Sequence, residues 1–550
     1  MVNKLNFLKV SFQKVILNFL LFISTLLTFI LGNAYYNSAN SPDFGKYIRY
    51  LNYYFGELDS TKFEQGNLYY YLVTKIIDIN SESVNPRYFE EYISYSIQIC
   101  NFCLYLILMI GLYKFLEAKN FKINNIIVVL ILLNFFPPML ALRLIFKPEI
   151  LILLLFIWSM YFFEKYLTTE NNIWIYCFVI FSALIISTKL TAALMILTFY
   201  LLYYSMRFWK FNQKMFLYSL GITIILLSLL TYENYIINDQ LFFNHEFQEQ
   251  YQDRAKLDII FNLSVNDLIY SPYGNFHNDS MLGIILLETF DDYFQLYWKS
   301  DSSLFHRNQI KPHIHFNSYL AIISTIIFYL LSITYARKYK KEKYIFLSPF
   351  IGIFSMLFIS LFIAFEESTG DMFKNYYYSF FLILSFIFTV ATLLKSNPNY
   401  KYMYFLFYFL TIFFVFGFPK NQDIDTNLTV KERINFTIHC DFSSNIFGFS
   451  STECEQEYVE ICDDIFSTFS KRLVINRKIE EVNLIPFESY ELSNENQIIS
   501  VKNLDECKKY INNGWKFKDN FQVKNRVPYL NIILFIIPAM LTFSLRNKKK

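Results

Sequence analysis

The sequence predicts an all-α polytopic membrane protein with about twelve transmembrane helices, amphipathic helices on the outer face and a small outer C-terminal soluble domain. Three observations lead there. Of the 550 residues, 54% are hydrophobic and 17% are charged, where a soluble chain carries about 25% charged residues. The apolar residues collect in runs of roughly 17 to 23, and a helix rising about 1.5 Å per residue needs that length to cross a hydrocarbon layer about 30 Å thick. Lys and Arg fall in alternate loops, the asymmetry expected when basic loops stay in the cytoplasm.

The runs lie at 14–33, 96–116, 125–142, 149–165, 172–187, 190–206, 214–232, 317–335, 345–365, 377–394, 402–418 and 528–545. The stretch 172–206 is too long for one crossing and divides at Ser187, Thr188 and Lys189. One side collects Lys4, Lys9 and Lys14, then Lys119 and Lys122, Arg207, Lys210 and Lys214, Arg337 to Lys343, Lys395 and Lys401, and the tail from Arg546 to Lys550. Both termini are therefore expected in the cytoplasm, with a bacterial inner (plasma) membrane as the expected location. The first run is too long for a cleaved signal peptide. Residues 1–418 form the membrane module, 419–527 an extracytoplasmic soluble domain, and 528–550 the last helix with a basic tail.

The outer face receives the loops 34–95 and 233–316, the 419–527 domain, and tight turns near Arg143–Glu149, Ser187–Lys189 and Glu366–Lys374. Loop 34–95 reads as two or three amphipathic helices along the membrane surface. One apolar face is expected at Phe44, Tyr47, Ile48, Leu51, Tyr54 and Phe55, a second at Leu68, Tyr71, Leu72, Lys75 and Ile76. Pro137 and Pro138 break a span near the outer face, and irregular backbone at that depth belongs beside a cavity. Arg143, Lys147 and Glu149 follow at once. Snorkelling to the interface accounts for such cations. Positive charge on the side opposite the basic loops points instead to an anionic partner. Lys189, in an otherwise apolar stretch, is open to the same two readings.

Loop 233–316 holds His245, His277, His306, His313 and His315, five of the six histidines. A helix is expected over Met281–Trp298, with Glu288, Asp291 and Asp292 on a solvated face. Two histidines at 313 and 315 are too few to assign a metal. Asp371 and Lys374 stand at the top of the run 377–394, as substrate contacts or as a solvated turn. Cys440, Cys454, Cys462 and Cys507 lie in the exported domain, an even number that suggests two disulfides of open pairing. Cys100, Cys103 and Cys177 lie in spans. No phosphate-binding loop and no dinucleotide fingerprint is present, so neither nucleotide chemistry nor nucleic acid is expected, and the sequence requires no cofactor.

A long first span, an outer loop with an early acidic residue and jaw-like helices, about ten further spans and an outer C-terminal domain: this layout resembles the GT-C superfamily, integral-membrane glycosyltransferases that use polyprenyl-phosphate sugars. It looks most like the protein-mannosyltransferase and aminoarabinose-transferase branch. The resemblance covers the layout of residues 10–420 and rests on Asp43 in Ser41-Pro42-Asp43, the aromatic stretch Tyr47–Tyr71, the Arg143/Lys147/Glu149 turn and Lys189. The branch often shows two adjacent acids in the first loop, whereas Phe44 follows Asp43 here. The resemblance implies a lipid-linked sugar donor, a glycan, lipid or protein acceptor, Asp43 as general base, and Arg143, Lys147 and Lys189 on the donor phosphate. Glu149, His277, Asp371 and Lys374 are the further candidate contacts.

Two other classes fit the outline. A polysaccharide polymerase or ligase of the O-antigen type would work from loop 233–316, through Arg254, His277 or Arg307. A lipid or sugar transporter or flippase would place its polar site at mid-membrane, with Gly/Pro-broken helices in paired repeats. The chain has 13 Gly, 13 Pro and no discernible repeat.

Overall fold

The computed structural model describes residues 15–30, 44–55, 68–80, 89–204, 262–270, 280–290, 312–362 and 374–396. It also describes three short strands and single positions that include Ser38 and Gly66. The expected spans 402–418 and 528–545, and 214–232 apart from Gly221 and Tyr232, lie outside the described residues, as do Asp43, His277, Asp371 and the four cysteines of the outer domain.

The described chain is mainly helical. In order it forms α1 (Val15–Ile30), α2 (Phe44–Tyr54), α3 (Leu68–Asn80), α4 (Phe89–Ala118), α5 (Ile123–Leu133), α6 (Pro137–Leu144), α7 (Glu149–Thr169), α8 (Asn172–Thr188) and α9 (Leu190–Tyr204). There follow α10 (Val265–Tyr270), α11 (Met281–Glu288), α12 (Pro312–Lys338), α13 (Lys343–Phe346), α14 (Ser348–Phe362) and α15 (Asn375–Ser396). Strands β1 (Tyr490–Asn494), β2 (Gln497–Val501) and β3 (Lys516–Phe517) make an antiparallel sheet in the order β2-β1-β3 within the expected outer domain. Four helices, α4, α7, α12 and α15, are long and apolar enough to cross a membrane, and the bent pair α5–α6 would make a fifth. This is the architecture of a helical membrane protein.

Helix α15 is the axis. Every residue from Tyr378 to Leu394 is buried, and α5, α6, α7, α12, α13 and α14 pack around it. Phe386 stacks on Phe136 at 4.1 Å, and Phe156 meets both Phe380 and Phe381. The outer ring shows the opposite pattern. Val15, Phe19, Phe22, Leu26 and Ile30 of α1 are exposed at helical spacing, as are Leu190, Leu194, Leu197 and Leu201 of α9. An exposed stripe of large apolar side chains suits lipid as its solvent. Helices α4 and α7 approach closely at Gly111, where a side-chain carbon would stand 2.7 Å from Trp158 Nε1. Small residues permit such contacts in membranes.

The break between α5 and α6 is a 62° bend. Pro137 and Pro138 occupy the first turn of α6, where their missing N–H groups leave no helical bond unmade. Polar side chains satisfy the irregular backbone beyond it. Asn101 donates to the carbonyls of Ile145 (2.9 Å) and Arg143 (3.3 Å), and Ser38 Oγ donates to Leu144 O at 2.6 Å. Asn134, at the bend, donates to Ser24 and Thr25 of α1 and accepts from Tyr105 of α4 at 2.6 Å. The break at 187–189 is likewise present: Lys189 is extended and separates α8 from α9.

Two sequence readings are corrected here. Helix α3 buries Tyr69, Tyr70, Val73 and Ile77 rather than the face led by Leu68, Tyr71 and Leu72, and Tyr71 is exposed. The segment LYYYLVTKII is apolar on nearly every side, so periodicity alone does not select a face; packing against Phe146 does. Glu288 is fully buried, not solvated, and α11 ends at it.

Candidate functional site

Two of the short turns expected on the outer face, Arg143–Glu149 and Ser187–Lys189, meet at one end of the bundle beside the start of α15. Glu149 opens α7, so its carboxylate sits in the first turn of the helix, where the dipole favours negative charge. Lys189 Nζ donates to Glu149 Oε1 at 2.6 Å. Lys147, two residues before Glu149, is 1% exposed and donates from Nζ to Tyr376 Oη at 3.2 Å.

Tyrosines wall the cations. Lys147 Nζ lies 4.6 Å from the ring centroid of Tyr376, 5.6 Å from that of Tyr47 and 5.8 Å from that of Tyr377. Lys189 Nζ lies 4.9 Å from the Tyr377 ring. Ammonium groups within about 6 Å of a ring face gain from its quadrupole, the more so when dry. Tyr376 and Tyr377 come from the first turn of α15, which non-helical torsions at Tyr378 set apart from the rest of the helix. Lys374 immediately precedes that turn and is half-buried. One cluster therefore draws on α2, the start of α7, the α8–α9 break and the start of α15.

The jaw helices cover it. Tyr70 meets Tyr50, Tyr69 and Phe146, from the 145–148 turn, edge-on, and the ring of Tyr47 lies tilted against it at 5.2 Å. Burial raises the Tyr69 and Tyr70 phenols well above the ordinary tyrosine range, so both keep their protons. Tyr69 uses its proton to donate to Asn101 Oδ1 at 2.8 Å. Between α2 and α3, Gly66 N donates to Thr188 O at 2.8 Å. A side-chain carbon at Gly66 would stand 1.8 Å from Ser187 O, so only glycine fits.

Arg143 keeps different company. It is 4% exposed, donates to Thr28 Oγ1 at 2.8 Å and stacks over Tyr105 (4.4 Å) and Phe102 (5.7 Å). It lines a small cavity with Thr28, Phe29, Gln98 and Leu140. Among the described residues no carboxylate touches it. Its neighbours are α1 and α4, whereas those of Lys147 and Lys189 are the tyrosines of α2 and α15.

Lys147, Lys189 and Glu149 are thus brought together, with Lys374 leading into the same turn of α15. Arg143 stands apart from them. The sequence reading missed Tyr47 as a ring over Lys147, together with Gly66, Tyr376 and Tyr377. The available signal was Lys374-Asn375-Tyr376-Tyr377-Tyr378, three consecutive aromatics two residues after a cation at the head of a span. At the other end, Lys119, Glu164 and Tyr203 form a buried triad, with Lys119 Nζ 2.8 Å from Glu164 Oε1. Among the described residues, no three His, Cys, Asp or Glu side chains converge to hold a metal ion.

Fold and site define a class: a helical membrane protein with a buried lysine–tyrosine cluster at one end of its bundle. No family model, curated protein or solved structure matches the chain.

Proposed function

We propose that the chain is a GT-C-type membrane glycosyltransferase. It carries about twelve spans, keeps both termini in the cytoplasm of a bacterial inner membrane, and transfers a sugar from a polyprenyl-phosphate donor to a glycan, lipid or protein acceptor on the extracytoplasmic face. One observation supports this above the others. Lys147 and Lys189, two cations that the loop-charge pattern assigns to the extracytoplasmic side, converge around Tyr376 and Tyr377 at one end of the bundle.

A lipid phosphate is the leaving group of such a reaction, and charge builds on its oxygen as the bond to the anomeric carbon breaks. Ammonium groups held ready in a dry site stabilise that charge. Lys147 and Lys189 take this role, and the Arg143 charge adds to the field. The acceptor hydroxyl attacks the anomeric carbon from the opposite face, giving inversion, and its proton passes to Asp43. Such a base contributes about 10²–10⁴-fold. Glu149, His277, Asp371 and Lys374 are assigned to substrate contacts.

The test is sugar transfer by purified protein from a panel of radiolabelled polyprenyl-phosphate sugars. Wild type transfers, and Asp43→Asn loses at least about a hundredfold while still binding lipid. An unaffected Asp43→Asn moves the base to Glu57, Asp59 or Glu64. Failure of wild type on the whole panel rejects the donor class and favours the polymerase or transporter.

A further inference from the structure

The cluster contains one acid whose bonding is half complete. Glu149 is 1% exposed; Oε1 accepts from Lys189, and Oε2 has no hydrogen-bond partner. Leaving a buried charged acceptor without a donor is costly, and proteins rarely do so away from a binding site. The nearby side chains do not supply that donor. Tyr69 Oη is committed to Asn101, whose amide in turn serves the carbonyls of the α6–α7 turn, and Lys147 is directed at Tyr376. The Glu149 charge helps to raise the phenols of Tyr69 and Tyr70, so the carboxylate also faces α3.

On the glycosyltransferase reading, the lysines hold a phosphate, and the group next to that phosphate is a sugar ring edged with hydroxyls. A hydroxyl is a neutral, directional donor of the kind a buried carboxylate oxygen accepts from. We infer that Glu149 Oε2 accepts a hydrogen bond from a hydroxyl of the donor sugar, making Glu149 a specificity-determining contact. This inference rests on the proposed function.

The test measures dissociation constants with full-length protein in nanodiscs. The ligands are polyprenyl phosphate, polyprenyl-phosphate hexoses and their monodeoxy analogues. Wild type binds the hexose lipid more tightly than the bare phosphate, and loss of one particular hydroxyl weakens binding roughly 10- to 100-fold. In Glu149→Ala and Glu149→Gln that same deletion has little effect, and the preference for the hexose lipid over bare polyprenyl phosphate is lost. Three results overturn the inference: no deoxy analogue binds wild type more weakly; the deletion costs as much in the variants as in wild type; or the variants lose the bare phosphate equally, which marks Glu149 as a support for Lys189 alone. The first needs no variant and decides the matter even if the substitutions prevent folding. If wild type binds neither bare nor sugar-bearing lipid, the glycosyltransferase reading itself falls.

Discussion

Lys189 and Glu149 pair at 2.6 Å with side chains 12% and 1% exposed. Two charges in so dry a place depend on each other, because removing one leaves the other desolvated and uncompensated. Lys189→Met is therefore expected to cost about 3–5 kcal/mol. The double variant Lys189→Met/Glu149→Gln is expected to recover most of that loss. Thermal unfolding in nanodiscs measures both, and an equal loss in single and double variants would show that the pair does not hold this corner together. These charges were legible in the sequence, since an ion within an apolar run stands out. The tyrosines around them were not, because aromatics make up 20% of the chain and occur near every span end. Glu288 was misread for a related reason. Its neighbours Asp291 and Asp292 suggested a wet face, and only packing shows that the helix ends before them with Glu288 inside.

The breaks between helices were readable from backbone chemistry. Two adjacent prolines mark the α5–α6 bend, and the length of 172–206 requires a division that falls at Lys189. Which side α3 buries was not readable, because its sequence offers apolar residues on nearly all sides. Gly66 was also missed, since a lone glycine in a loop carries no signal until its neighbour is known. That neighbour is the carbonyl of Ser187, and the contact fastens the first outer loop to the α8–α9 break beside Lys189. Gly66→Val is expected to destabilise by about 1–3 kcal/mol through overpacking and to quicken protease cleavage between α2 and α3. Unchanged cleavage would mean that the jaw helices are held by their aromatic stacks alone.

The helical membrane class followed from composition and run length, because hydrocarbon solvent selects for both. Charge placement in loops carries the orientation, and cysteine labelling in intact cells tests it. In a background without native cysteines, Lys122→Cys, Asn172→Cys and Lys340→Cys, all exposed at the junctions between long helices, are expected to react only after the inner face is made accessible. Asn262→Cys, exposed in the 233–316 loop, is expected to react with an impermeant maleimide from outside. Labelling of Asn262 and Lys340 from the same side would break the alternation on which the span count depends.

The burial of α15 on every side has a consequence for how the protein is made. The described helices packed around it all precede it in the chain. During synthesis the rings of Phe136 and Phe156 are therefore made before the aromatic partners that α15 brings them. Helix α15 then enters as a wedge, bringing Phe386 and Phe380 to those rings and Tyr376 and Tyr377 over the lysines in the same step. A nascent chain halted before Asn375 would hold Lys147 with Tyr47 alone and Lys189 without the Tyr377 ring, so the site is completed only when α15 is in place.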